Sequence, residues 1–295
     1  MEIFRTEFRA MGGANEIMLA APAEGHAAAA LEAAVKEVLR IEARYSRYRA
    51  DSVVSRVNAA AGSGTWTAVD AETRTLLDFA DALHRQSEGL FDITSGILRQ
   101  AWNFREPRLP SEQELSCLLE RIGWSRVERR DDAIRLPEPG MEIDFGGFGK
   151  EYAADRAATV LAERGIAHGY VNLGGDIRAV GPRDDGSPWL IGVQNPRAPG
   201  DIVATIPVTQ GALATSGDYE RYFELGGKRY CHVLDPRTGW PVSHWASVTV
   251  LAPMAIVAGS FATITMLKQS DGLDFLRAAG MTHLCVDAGG AIFST

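Results

Sequence analysis

The chain reads as an α+β fold forming a single domain over residues 1–295, and three observations carry that reading. Apolar residues recur at helical spacing mainly in the first half, whereas from Ile134 onward short runs rich in β-branched and aromatic residues take over. Helices gathered early and strands gathered late favour mixed or antiparallel sheets over the regular alternation that builds a parallel one. No internal repeat, low-complexity tract or long Gly/Ser linker interrupts the chain, so nothing marks a second domain.

Taken in order, residues His26 to Tyr45 place Leu31, Val35, Val38, Leu39 and Ile41 on one face of an Ala-rich helix. Asp51 or Ser52 is placed to cap a second helix, and Asp70 to Glu88 repeats the pattern with Leu76, Leu77, Phe79, Ala80 and Leu83. Phe104 to Pro110, rich in Pro and Arg, reads as a loop before a helix over Ser111 to Ile122 with Leu115, Leu118 and Leu119 aligned. Strands are then expected at 134–136, 141–145, 169–173, 177–181, 189–193, 202–208, 221–225, 228–234 and 247–252. Helical segments at Glu151 to Arg164, Ala255 to Lys268 and Gly272 to Ala279 separate them.

Composition narrows the function. With 46% hydrophobic residues the chain can bury a sizeable core without staples. Cys117, Cys231 and Cys285 are odd in number and form no CxxC pair, so they suggest buried thiols instead of disulfides or a zinc site. A formal charge of -8 argues against a nucleic-acid surface, which needs clustered Lys and Arg. No stretch approaches the roughly 20 apolar residues of a membrane span, and charges within the first ten residues rule out a signal core there. A cytoplasmic location is therefore expected, although a leader or lipid anchor already removed would leave no trace.

The strongest local feature is Met141 to Asp155, MEIDFGGFGKEYAAD, in which a strand is expected to run through a Gly-rich turn into a helix. Glycines admit a ligand close to the backbone, free N–H groups at a helix start attract phosphate, and Lys150 adds positive charge. The segment matches neither a P-loop nor a GxGxxG fingerprint, so an ordinary strand-to-helix turn and an anion site both fit it. VNLGGD (171–176) and TSGDY (215–219) are further turns with polar groups for a ligand. DPRTG (235–239) reads as a type I turn, and His232 before it suits either a structural role or acid/base chemistry beside Arg237 and a phosphate.

Taken together, MGG (11–13), SRYRADSVVSRVN (46–58), EGLFDITSG (88–96), DFGGFGKEYAAD (144–155), YVNLGGDIRAVG (170–181), ATSGDYERYFE (214–224) and HVLDPRTGWPV (232–242) resemble, in identity and order, the ApbE family of FAD:protein FMN transferases. The resemblance implies FAD held in a cleft and FMN transferred to a Ser or Thr hydroxyl of a partner flavoprotein, with release of AMP and with Mg2+ assisting. It assigns flavin-dinucleotide contacts to Met11, Tyr48, Leu90, Phe91 and Asp92, with Tyr48 and Phe91 offering rings for stacking. Lys150, Asp155, Ser216, Asp218 and Arg237 fall in matched segments lining the cofactor region, His232 is the candidate for proton transfer, and Gly149 (by its carbonyl) and Thr263 are metal ligands.

The chain departs from the family at one point. Where the pattern reads approximately ADALAT, this sequence has AGSFAT (258–263), so Gly259 stands at the position of a metal-binding Asp. Ser260 is neutral and out of register, while Glu151, where the family often has Gly, would be a substitute only if the fold turned it toward the site. Three functions follow: a transferase with an atypical ligand, a non-catalytic FAD carrier, or an FAD hydrolase releasing FMN and AMP.

Overall fold

The computed structural model describes all 295 residues. The chain opens with a hairpin, β1 (Glu2–Ala10) and β2 (Gly13–Ala21), whose two-residue turn holds Met11 and Gly12 at φ 53° and 80°. Positive φ at both turn positions is the type I′ geometry that matches the twist of paired strands. Helices α1 (Glu24–Tyr45), α2 (Val53–Ala59), α3 (Ala71–Gln86) and α4 (Glu112–Leu119) follow. Ser52, Asp70 and Ser111 each cap a helix by accepting a backbone N–H, and Ser111 forms a reciprocal capping box with Glu114. Short strands β3 (Thr67–Ala68), β4 (Glu128–Arg129) and β5 (Ala133–Arg135) make a small sheet beside them.

Helix α5 (Gly149–Glu163) leads into β6 (Gly169–Leu173), β7 (Asp176–Gly181), β8 (Trp189–Gln194), β9 (Ile202–Val208), β10 (Gly211–Gly217), β11 (Tyr222–Leu225), β12 (Lys228–Cys231) and β13 (Trp245–Ala252). The chain closes with α6 (Ala255–Lys268), α7 (Gly272–Ala278), β14 (Thr282–Asp287) and β15 (Ile292–Ser294). The main sheet is antiparallel throughout, in the order β1-β2-β6-β7-β10-β13-β14-β15. Three helices pack side by side on it: α1 against β1 and β2, α5 against β6 and β7, α6 against β10 and β13. Their small faces allow close approach, since Ala30, Ala34, Ala154, Ala157, Ala158, Ala258 and Ala262 are all buried. No helix is long and apolar enough to cross a membrane.

The α+β class holds, and with it the weighting of helices α1–α4 toward the first half and strands β6–β15 toward the second, although the division is not complete. β1 and β2 begin the chain and join the main sheet, and α5 and α6 cover its centre. Residues 141–145, expected as a strand, pair with none. The side chain of Asn58 takes both backbone groups of Ile143, accepting its N–H at 2.7 Å and donating to its C=O at 3.0 Å, and so replaces a neighbouring strand. Cys231 and Cys285 are buried as expected, whereas Cys117 is exposed on α4.

Candidate active site

The Gly-rich turn works by close contact. A Cβ added at Gly147 would lie 2.8 Å from the Phe91 ring, so the turn passes under that ring only as glycine. Helix α5 then starts at Gly149 and presents Lys150 and Glu151 in its first turn. Facing them is the β6–β7 turn, with Gly174 and Gly175 at φ 58° and 97°. Asp176, immediately after it, receives Lys150 Nζ at 2.7 Å and accepts the Thr215 N–H of β10 at 3.1 Å. One residue on, the Ser216 hydroxyl lies 2.9 Å from that of Thr263 on α6. Gly149, Lys150, Ser216 and Thr263, distant in sequence, thus belong to one connected group at the α5 start, the β6–β7 turn, β10 and α6.

Glu151 enters the same group. Its residue is 8% exposed, and Oε2 is sealed from solvent without a hydrogen-bond partner. The carboxyl lies against Gly259 of α6, where an added Cβ would come within 2.6 Å of Glu151 Cγ and 2.7 Å of Oε1. Burial, then the charge of Asp176, raises its pKa above the usual carboxylate range, with Lys150 opposing. Lys150 itself is raised: burial pulls it down, and the charges of Asp176 and Glu151 outweigh that. Ser260 turns away and donates to the Ile256 carbonyl at 2.7 Å. No group of three or more His, Cys, Asp or Glu side chains converges as a metal cage.

His232 follows β12, its backbone N–H bound to the Arg221 carbonyl at 3.0 Å. Ring Nδ1 is sealed and unpartnered. Burial, with the positive charges of Arg221 and Lys150, lowers its pKa to about 4, so the imidazole is neutral near pH 7.

Several expected contact residues also have structural roles. Leu90 and Phe91 are buried, and Phe91 packs on Phe148 with ring centroids 6.2 Å apart. Asp92 accepts the Thr94 N–H and hydroxyl at 2.7 and 2.6 Å and the Trp124 N–H at 2.9 Å, which consumes both oxygens in fixing that turn. Asp155 accepts the N–H groups of Ala255 and Ile256, both at 2.9 Å, and pairs with Arg178; it anchors the start of α6. Asp218 is clamped by Arg197 through two bonds of 2.6 and 2.8 Å and approached by Arg229. Each of these five side chains thus has a packing or hydrogen-bonding partner inside the protein, which the sequence, showing only an apolar group or a carboxylate, does not reveal.

The remaining expectations lie open. Tyr48 is 79% exposed with the Arg47 guanidinium 4.9 Å from its ring centroid. Arg237 is exposed at the turn closed by the Thr238 N–H on the Asp235 carbonyl, and Asp235 holds its guanidinium at 3.3 Å. Met11 sits in the first hairpin turn, tied by its N–H to Glu42 at 2.6 Å. Asp176 was missed by residue-level reading although it closes the VNLGGD segment; its role emerges only when β10 and α5 meet around it.

Fold and site together describe an antiparallel α+β protein with a charged, partly sealed cluster at a Gly-rich helix start. Residues 11–286 match the model of the ApbE family, and the chain belongs to that family. Among its relatives, the FAD:protein FMN transferase of Haemophilus influenzae is 32% identical over 244 residues, covering 79% of this chain and 70% of the relative. That of Vibrio cholerae is 34% identical over 229 residues, covering 75% and 68%. Among solved structures, the ApbE protein of Thermotoga maritima superposes with a TM-score of 0.91 at 32% identity, covering 100% of this chain and 97% of that one.

Proposed function

We propose that this chain is an FAD:protein FMN transferase, which moves FMN from FAD to a Ser or Thr hydroxyl of a partner flavoprotein and releases AMP. The relatives carry that name, and the observation that supports it here is the cluster of Lys150, Asp176, Ser216 and His232 at the start of α5. In this reading the N–H groups of the first α5 turn and the Lys150 ammonium hold pyrophosphate oxygens. Tyr48 supplies an exposed ring for stacking, and Arg237 an exposed positive charge.

The acceptor hydroxyl oxygen bonds to the FMN-side phosphorus, the bridging P–O bond of the pyrophosphate breaks, and AMP leaves with that oxygen. The hydroxyl proton passes to His232, which is neutral and so able to accept it; with Nδ1 sealed, Nε2 is the accepting atom. Asp176 keeps Lys150 charged and aimed, and the Thr215 N–H keeps Asp176 in place. A bound magnesium ion would neutralise pyrophosphate charge and stabilise the leaving phosphate. Oxygen donors suit it: the Thr263 hydroxyl and the Gly149 carbonyl are the proposed holders, and the unpartnered buried Glu151 oxygen marks a place where a cation is accommodated.

The test is FAD turnover with magnesium, with and without an acceptor domain, reading AMP and protein-bound FMN. AMP that appears only with the acceptor, matched by covalent FMN, is the expected result. AMP without an acceptor would replace the transferase by a hydrolase, and FAD retained without AMP would replace it by a carrier.

A further inference from the structure

We infer that Glu151, reaching across from α5 to lie against Gly259, is the carboxylate ligand of a divalent cation held between the starts of α5 and α6. The inference rests on reading the site as one that handles a pyrophosphate with a cation.

Three observations carry it. Glu151 is buried with Oε2 unpartnered, so its carboxyl must either keep a proton or be completed by a positive partner. The adjacent cation does not complete it, because Lys150 is bound to Asp176 at 2.7 Å.

The second observation is the space itself. Glycine is disfavoured inside a helix relative to alanine, yet Gly259 lies within α6 among helix-tolerant and apolar residues. Its contact explains it: any Cβ there would press on Glu151 Cγ at 2.6 Å, so the absence of a side chain on α6 is what admits the carboxylate from α5.

Third, Gly259 and Thr263 are four residues apart on α6 and share a face. Glu151 therefore brings a carboxyl oxygen, which a bound cation would hold ionised, to the helix face that also carries the Thr263 hydroxyl, itself paired with Ser216 at 2.9 Å. One carboxylate with neutral oxygens, completed by phosphate and water, is a donor set magnesium commonly accepts.

Mn2+ serves as the probe, its binding to the full chain measured by calorimetry and by loss of the free-ion EPR signal, with FMN transfer read separately. The parent chain should bind one Mn2+, and Glu151→Gln, which keeps shape and removes charge, should weaken binding at least tenfold while keeping its melting temperature without metal. Mn2+ should raise the melting temperature of the parent and not of the variant. A parent that binds no Mn2+, or a folded Glu151→Gln variant within twofold of it, would overturn the assignment. The two readings fail separately: Mn2+ binding that needs Glu151 without any FMN transfer leaves the ligand and removes the transferase, whereas FMN transfer with Mn2+ affinity indifferent to Glu151 does the reverse.

Discussion

Asp155 of α5 holds Ile256 of α6: its Oδ2 accepts the Ile256 N–H at 2.9 Å while Oδ1 accepts that of Ala255. Because α6 has no side-chain cap from its own preceding residue, a carboxylate from another helix satisfies its first N–H groups. Asp155→Ala should therefore destabilise the chain by about 3–5 kcal/mol, since two buried donors and Arg178 lose their partner. Asp155→Asn should cost less. Urea unfolding of the two variants checks the order, and equal stability to the parent would show that α6 does not depend on this link.

The two aromatic candidates should separate cleanly. Phe91→Ala removes a buried ring and should cost about 3–5 kcal/mol of stability. Tyr48→Ala, at an exposed position, should change stability by under about 0.5 kcal/mol and weaken FAD binding by about two- to tenfold through lost stacking. Thermal melts and fluorescence titration with FAD distinguish them.

His232 gives a pH signature. Its folded pKa of about 4 lies below the ordinary 6.5, so between these values the unfolded chain binds the proton more readily and stability rises with pH. The contribution is complete above pH 6.5 and is lost as pH falls through about 4, amounting to at most about 3 kcal/mol. His232→Asn should flatten that part of the stability profile. It should also lower FMN transfer by about 10²- to 10⁴-fold, while the parent keeps the histidine's basic form down to about pH 5.

Gly259 and Glu151 should behave as an exchangeable pair. Gly259→Asp alone forces a side chain into the Glu151 carboxyl and should lower both the melting temperature and Mn2+ affinity. Glu151→Gly with Gly259→Asp removes the collision, returns one carboxylate to the same helix face, and should recover most of both. Melts with and without Mn2+ read the outcome; a double variant no better than Gly259→Asp would show that the two positions do not compensate.

Much of this architecture was legible where local physics decides. The apolar faces of α1 and α3 and the caps at Ser52, Asp70 and Ser111 depend on neighbours within a few residues. Strand β10, GALATSG, escaped because small residues carry little β preference, and its place is set by β7 and β13 on either side. In β1 the alternation survives as exposed Arg5, Glu7 and Arg9 against half-buried Phe4, Thr6 and Phe8, but charge dominates the string. For the site, family motifs marked segments that the fold brings together at the start of α5, yet Asp92, Asp155 and Asp218 drew partners from 32, 100 and 21 residues away, which no local pattern encodes.

The pairing of β2 with β6 sets Ile17 opposite Val171, across more than half the chain. During synthesis the β1–β2 hairpin therefore emerges long before the neighbour that completes the sheet exists. Ile17 and Leu19, sealed in the finished protein, must wait through the synthesis of five helices. Such long-range closure slows folding and leaves apolar strand faces uncovered meanwhile. During translation, the vulnerable part of this molecule is the β1–β2 hairpin.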